Sequence, residues 1–343
     1  MPTSMAVGEV ERKAIEDLGL RRIDTSELKV ERVVENGRFS FLKGGRPLAG
    51  RRDLKRIAEL VIPPAWTDVR VAVDQDAHLQ VVGRDSAGRL QYIYHSAWED
   101  VRAASKAFRL IQLGQALPAL RATIDSDLGS ENANLSLATA ARLVDLLRFR
   151  AGHETYAGEE GGRGVATLLK RHLRIDGETI RFCFRGKGGK RIEKSYTDGR
   201  LADVLAELRR LRGRRLFKVK GQDGYRPMTA SDLNSYLAQA SGKPVTAKDF
   251  RTLYGSATAL DQLSQIGHPE SRTASRRTIA EVARTISAEL ANTPAVTRKS
   301  YIHPSIIEKF EACELAGTGN FRTRRGLSAA ESNLMRFLES EAG

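Results

Sequence analysis

Cysteine is almost absent from this chain. Cys183 and Cys313 are the only two, and neither belongs to a CxxC pair. That excludes a disulfide framework and a thiolate metal site, and the expected setting is a reducing, cytoplasmic one. No apolar run approaches the roughly 20 residues needed to span a bilayer. The first residues, MPTSMAVGEVERK, lack the basic-then-apolar order of a secretory signal. No membrane partner is therefore expected. Several catalytic signatures are missing as well: HExxH, GxxxxGK[ST], a GxGxxG opening a helix, and GxSxG. The six histidines are scattered, with no pair at ligand spacing. Neither a metal nor ATP is expected, and no cofactor. Acidic residues are in deficit, 42 against 56 Lys and Arg, which gives a net charge of +14 and a pI of about 10.0. The excess runs along the whole chain, and such a surface attracts polyanions.

The 343 residues are enough for two domains, and the patterning changes once. Up to about residue 96 the signals are those of strands and turns. VVENGRFSF (33–41) sets Asn36-Gly37 between β-prone runs, and HLQVVGRDSAGRLQYIYH (78–95) turns at Ser86, Ala87 and Gly88. A short helix, RDLKRIAELVI, stops at Pro63-Pro64 between these hairpins. From 97 onward the period is helical. Leu137, Ala140, Val144 and Leu147 share a face, with Gly152 as a helix end. Thr246 and Asp249 have capping-box spacing ahead of Phe250, Leu253, Ala257 and Leu260. Ile279, Val282, Ile286 and Leu290 form a stripe. ETIRFCFRGKGGKRIEKSY (178–196) interrupts the helices as a hairpin turning at GKGG. The expected fold class is α+β: a small antiparallel β-sheet domain over 1–96, then a larger, mainly α-helical domain over 97–343 with an inserted hairpin. The last thirty residues include a further capped helix, SAAESNLMRFLES, for which two placements are open: packed on this domain, or peripheral over roughly the last 20 residues.

Four residues attract chemical attention. Tyr301 follows Arg298 and Lys299; Arg150 is placed in the last turn of its helix before Gly152; Lys187 sits on the glycine turn; Arg251 lies early in its capped helix. Each alone has an ordinary explanation, as a packing aromatic, a dipole-complementing or solvated cation, or a turn residue. Together they suit transfer of a phosphodiester to a phenol. Guanidinium forks match the nonbridging oxygens of the transition state. A lysine whose pKa is lowered by cationic neighbours can protonate the leaving 5′ oxygen. The phenol, with a pKa near 10, needs nearby positive charge to become a nucleophile.

In these motifs the chain resembles the small type IB DNA topoisomerases of the poxvirus-like branch, which includes bacterial members. The resemblance runs in order through IPPAWTDV (62–69), GRDSAGRLQYIYH (83–95), RFRAGHETYA (148–157), GKGGK (186–190), KDFRTLYG (248–255) and NTPAVTRKSY (292–301). It implies Tyr301 as the nucleophile forming a 3′-phosphotyrosyl link, and Arg150 and Arg251 as ligands of the scissile phosphate. Lys187 would be the general acid and Lys248 a supporting cation. It further implies DNA contacts by Arg89, Gln91, Tyr92 and Tyr156, and a monomer that clamps double-stranded DNA, associated with the nucleoid. Supercoils would be relaxed by cleavage, strand rotation and religation, without ATP or metal. Many members have His where this chain has Asn292, which keeps a hydrogen-bond donor but no charge. The segment AGEEGGRGVATL (157–168) is richer in glycine and acid than the family leads one to expect. His303-Pro304 disfavours helix directly after Tyr301, which would leave that segment room to move.

Two other readings compete. A tyrosine recombinase shares the chemistry, but carries His three residues before its second catalytic Arg, where this chain has Lys248, and tends to have a helical N-terminal domain. A noncatalytic basic DNA-binding protein explains the charge but not the order of the motifs.

Overall fold

The computed structural model describes residues 7–35, 37–129, 134–157, 161–221, 224–267, 269–315 and 322–342. The chain divides between Phe108 and Arg109 into two compact units. The first begins with α1 (Val7–Asp17) and carries β1 (Val30–Glu35), β2 (Arg38–Lys43), β3 (Arg46–Pro47), α2 (Arg51–Glu59), β4 (Thr67–Val71), β5 (Leu79–Arg84) and β6 (Leu90–Tyr94). The strands form one antiparallel sheet in the order β3-β2-β1-β4-β5-β6. The expected hairpin at Asn36-Gly37 joins β1 to β2 with Glu35 opposite Arg38; Asn36 itself lies outside the described residues.

β5 does not alternate: five consecutive residues, Leu79 to Gly83, are buried. The sheet has a core on each face. Leu79 and Val82 pack with Ile23 and Leu28, whereas Val81 packs with Val30, Val71 and Ile57 of α2. A register shift between Leu79 and Val81 puts Leu79 and Val82 in the same core despite their odd spacing. α2 ends at Glu59, short of the prolines, because Val61 turns left-handed (φ 48°). β6 is an edge strand with Leu90, Tyr92 and Tyr94 exposed along one side. α3 (Trp98–Asp127) contains the division between the units.

The second unit continues with α4 (Leu135–Leu147), β7 (Leu173–Asp176), β8 (Thr179–Arg185), β9 (Arg191–Thr197), α5 (Gly199–Arg210), β10 (Lys218–Gly221), β11 (Gly224–Pro227), α6 (Ala230–Ser241), α7 (Ala247–Ile266), α8 (Arg272–Glu289), α9 (Pro294–Tyr301), α10 (Pro304–Glu311) and α11 (Ala329–Ala342). The expected hairpin is β8–β9, with Ile180, Phe182 and Phe184 inward, and β7 extends it to three strands. The two-stranded β10–β11 sheet was not expected from the sequence. α7 is the central helix. It buries Phe250, Leu253, Leu260 and Leu263, and packs against α4, α6, α8, α9, α10 and α11.

One expectation needs correction. α4 stops at Leu147, because Arg148 adopts left-handed backbone (φ 61°) and caps it, so Arg150 lies beyond the helix and not in its last turn. Of the two placements open for the C-terminal helix, the packed one is observed. Leu334, Met335 and Leu338 of α11 are fully buried, and Gly114 of α3 leaves the space that the Met335 side chain occupies.

The same helix is tied down by charge. Arg121 donates to both oxygens of Asp145 (2.8 and 2.9 Å), to both oxygens of Glu331 (2.8 and 3.1 Å) and to the Gly326 carbonyl (2.8 Å). Burial lowers the guanidinium's affinity for its proton, but the two carboxylates outweigh burial and raise it. Arg121→Ala would leave two largely buried carboxylates unpaired. It is expected to cost about 3–5 kcal/mol of stability in denaturant melts, whereas reversing the exposed pair Arg102–Glu99 is expected to change little.

Candidate active site

The site is assembled from the ends of helices. Past α4 the chain runs extended through Phe149 and Arg150, and is held there by a neighbouring segment. The Val165 and Ala166 N–H groups donate to the Arg150 and Ala151 carbonyls (2.8 and 2.9 Å). The approach is close enough that a Cβ on Gly164 would sit 2.5 Å from the Gly152 nitrogen. The same segment meets the hairpin on its other side. The Arg163 N–H donates to the Arg185 carbonyl (2.8 Å), and a Cβ on Gly162 would lie 2.7 Å from the Gly186 carbonyl and 2.8 Å from the Lys187 Cα. The glycines that look unusual in the sequence are thus what allows one strand of chain to fit between Arg150 and Lys187. Gly158, Glu159 and Glu160 of that stretch lie outside the described residues.

Tyr301 is the last residue of α9, and is 5% exposed. Pro294 opens that helix, and the Thr293 hydroxyl caps it by accepting the Val296 N–H. Beyond Tyr301 the His303-Pro304 break is present, but its backbone is tied. The Ser256 hydroxyl of α7 accepts the His303 N–H (3.0 Å) and donates to the Tyr301 carbonyl (3.2 Å). Gly255 makes the contact possible, since a Cβ there would lie 2.5 Å from the Tyr301 carbonyl oxygen.

Around the phenol the expected residues converge. Arg150 donates from Nη1 to the Tyr301 hydroxyl (3.1 Å) and from Nη2 to Asn292 Oδ1. Arg251 lies with Cζ 5.0 Å from the centre of the Tyr301 ring, and donates to the carbonyls of Arg148 and, at 2.7 Å, Leu290. Lys187, Lys248, Arg150, Arg251 and Tyr301 line one cavity of about 610 Å3. Lys190 was not singled out from the sequence, although it ends the GKGGK motif; its Nζ donates to the Asn292 carbonyl. Among the described residues, two buried donors next to the phenol have no acceptor: Arg251 Nε and Asn292 Nδ2. Such groups are costly unless a ligand supplies the acceptor.

Electrostatics follow from this packing. Burial pushes the Tyr301 phenol up, but the Arg251 and Arg150 guanidiniums outweigh burial and bring it below its usual value. Burial lowers Arg251 to about 10, which keeps it charged at neutral pH. The Arg148 guanidinium lies 4.9 Å from the centre of the Tyr254 ring and is lowered by burial.

Arg89, Gln91 and Tyr92 belong to the sheet unit. Arg89 Nε and Gln91 Nε2 both donate to Asp85 Oδ2 (2.9 Å each), and Tyr92 is exposed beside Tyr94, with ring centres 6.2 Å apart. Tyr156 ends a short 3-10 turn, Glu154–Tyr156, and its side chain lies outside the described residues.

Two outcomes are expected. In a spectrophotometric titration compared with Tyr301→Phe, one phenol ionises below the ordinary value of about 10. Arg150→Ala raises that value, because removing a nearby cation disfavours the phenolate. Gly164→Ala forces a methyl group into backbone, and is expected to destabilise the fold by about 1–3 kcal/mol and to lower activity in assays of the folded fraction.

Comparison with known proteins gives the family. The model for eukaryotic DNA topoisomerase I, catalytic core, matches residues 95–317, and that for the bacterial DNA topoisomerase IB N-terminal domain matches residues 38–85. DNA topoisomerase 1B of Acanthamoeba polyphaga mimivirus is 30% identical over 270 residues, covering 76% of this chain and 80% of the relative. DNA topoisomerase 1B of vaccinia virus (strain Copenhagen) is 24% identical over 266 residues, covering 72% and 78%. A DNA topoisomerase 1 of Candidozyma auris is 30% identical over 140 residues, 39% of this chain and 18% of that protein. With a catalytic-core match over 223 of 343 residues (95 to 317) and a tyrosine held between two arginines in a cationic cavity, the chain belongs to the type IB DNA topoisomerases.

Proposed function

We propose that this enzyme relaxes supercoiled duplex DNA by transient transfer of one strand to Tyr301, with the two units gripping the duplex as a clamp formed by a single protomer. The observation that carries the reading is the hydrogen bond from Arg150 to the Tyr301 hydroxyl in a cavity also lined by Lys187, Lys248 and Arg251.

Tyr301 gives up its proton to water, an ionisation that Arg251 and Arg150 favour, and the phenolate oxygen attacks the scissile phosphorus as the bond from phosphorus to the 5′ oxygen breaks. Arg150 and Arg251 stabilise charge on the nonbridging oxygens, and the Arg251 Nε and Asn292 Nδ2 donors gain acceptors there. Lys187 gives its proton to the leaving 5′ oxygen, with Lys248 adding positive field. The departing strand end rotates about the intact strand. The reversed step then expels Tyr301 and restores the phosphodiester. One ester is exchanged for another, so the bond energy is conserved and the cycle needs neither ATP nor a metal. Arg89, Gln91, Tyr92 and Tyr156 contact DNA away from the reacting phosphorus. The nucleoid would be the place of action.

Asn292 suits its position chemically. Its Oδ1 accepts from Arg150 and its Nδ2 remains a donor, the same acceptor and donor pair that a neutral histidine offers. Aspartate would keep the acceptor and lose the donor.

Plasmid relaxation in EDTA without ATP, followed by detergent capture of protein on DNA, tests the reading. The wild type is expected to score in both assays and Tyr301→Phe in neither; a wild type that relaxes and captures nothing refutes it. Lys187→Ala should slow cleavage by about 10²–10⁴-fold and recover on a substrate whose 5′ bridging oxygen is sulfur, because a thiolate leaves without a proton. Asn292→Asp should slow cleavage by about 10²–10³-fold, while Asn292→His stays within about tenfold of the wild type.

A further inference from the structure

The hairpin tip that carries Lys187 has a second cavity beside it, of about 500 Å3, lined by Arg163, Arg171, His172, Arg185 and Arg191. Arg191 pairs with the exposed Glu193. Arg171 and Arg185, both exposed, meet no carboxylate among the described residues. His172 is pushed down to about 4, first by burial and then by Arg163 and Arg171, so it is neutral. Its Nδ1 accepts the Leu169 N–H (3.1 Å), which leaves Nε2–H as a donor. Among the described residues Glu193 pairs with Arg191 and Glu154 acts on Arg163, while Arg171, Arg185 and the imidazole donor of His172 face the same space, and this lining is complementary to an oxyanion.

The position of the cavity indicates which oxyanion. Gly161 and Arg163 line both this cavity and the one holding Tyr301, and the tip between them contributes Lys187 and Gly188 to one and Gly189 to the other. A chain of phosphodiesters that leaves the Tyr301 cavity across the tip enters the arginine cavity. We propose that this cavity holds a backbone phosphate of the substrate DNA that flanks the scissile phosphate, with Arg171 and Arg185 as positioning residues. The proposal rests on the DNA-cleavage reading above.

The test uses the full chain, the double variant Arg171→Gln/Arg185→Gln, and a series of duplexes that each carry one uncharged methylphosphonate at successive positions around the cleavage site. Thermal melting checks that both proteins are folded. For the wild type, one position, or two adjacent ones, is expected to weaken binding about tenfold. The variant binds unmodified duplex about tenfold more weakly, with a salt slope smaller by about one unit per phosphate lost. It loses nothing further at that same position, because the two changes remove one interaction. Its cleavage rate constant at saturating DNA stays within about twofold of the wild type, since Arg171 and Arg185 do not line the Tyr301 cavity. Losses that multiply independently at every position overturn the proposal. So does a variant that loses affinity for inorganic pyrophosphate but not for DNA, because the cavity would then take free phosphate. Failure of the wild type itself to cleave refutes the underlying reading, and is recognised without the variant.

Discussion

One guanidinium holds the catalytic end of this molecule together. Arg251 projects from α7 and donates to the carbonyl of Arg148, which caps α4, and to that of Leu290, which caps α8. Both are helix C-termini, where unpaired carbonyls and the helix dipole concentrate negative charge. The two chain segments that leave those ends carry Arg150 and Asn292. The cation proposed as a phosphate ligand is therefore also the pin that fixes the segments carrying Arg150 and Asn292. It remains charged despite burial because two backbone acceptors and the phenol ring replace water around it.

The remaining geometry follows from close backbone approaches. Gly164 and Gly162 let one segment lie against both the Arg150 segment and the Lys187 turn, so the separation between these two residues is set by main chain and not by flexible side chains. Gly255 and Ser256 do the same for Tyr301, fixing its carbonyl to α7. A phenol on a fixed backbone, with its oxygen on Arg150, has few directions in which to move, and for the proposed nucleophile this is preorganisation of the kind that lowers a barrier.

How much of this was legible in the sequence depended on the range of the interactions. The β8–β9 hairpin, the α8 stripe and the α7 capping box follow from local periodicity and spacing, and the structure has all three. The box goes further than expected, because Asp249 also pairs with Arg109 through both oxygens (3.0 and 3.1 Å). The end of α4 was not legible. A left-handed Arg148 is stabilised by Tyr254 and Arg251, about a hundred residues downstream, and no local signal announces it. Lys190 and Ser256 were missed for the same reason, since each acts on a partner distant in sequence. β5 has no alternation in its burial, because both faces of its sheet are covered.

The helix α11 adds a consequence in time. It packs against α7, and α7 is the scaffold to which both Arg251 and the Tyr301 backbone are fastened. In the order of synthesis the tyrosine emerges from the ribosome before this buttress. A growing chain would thus expose its proposed nucleophile on an unfinished scaffold, and would acquire the power to cut DNA only once the helix behind it had docked.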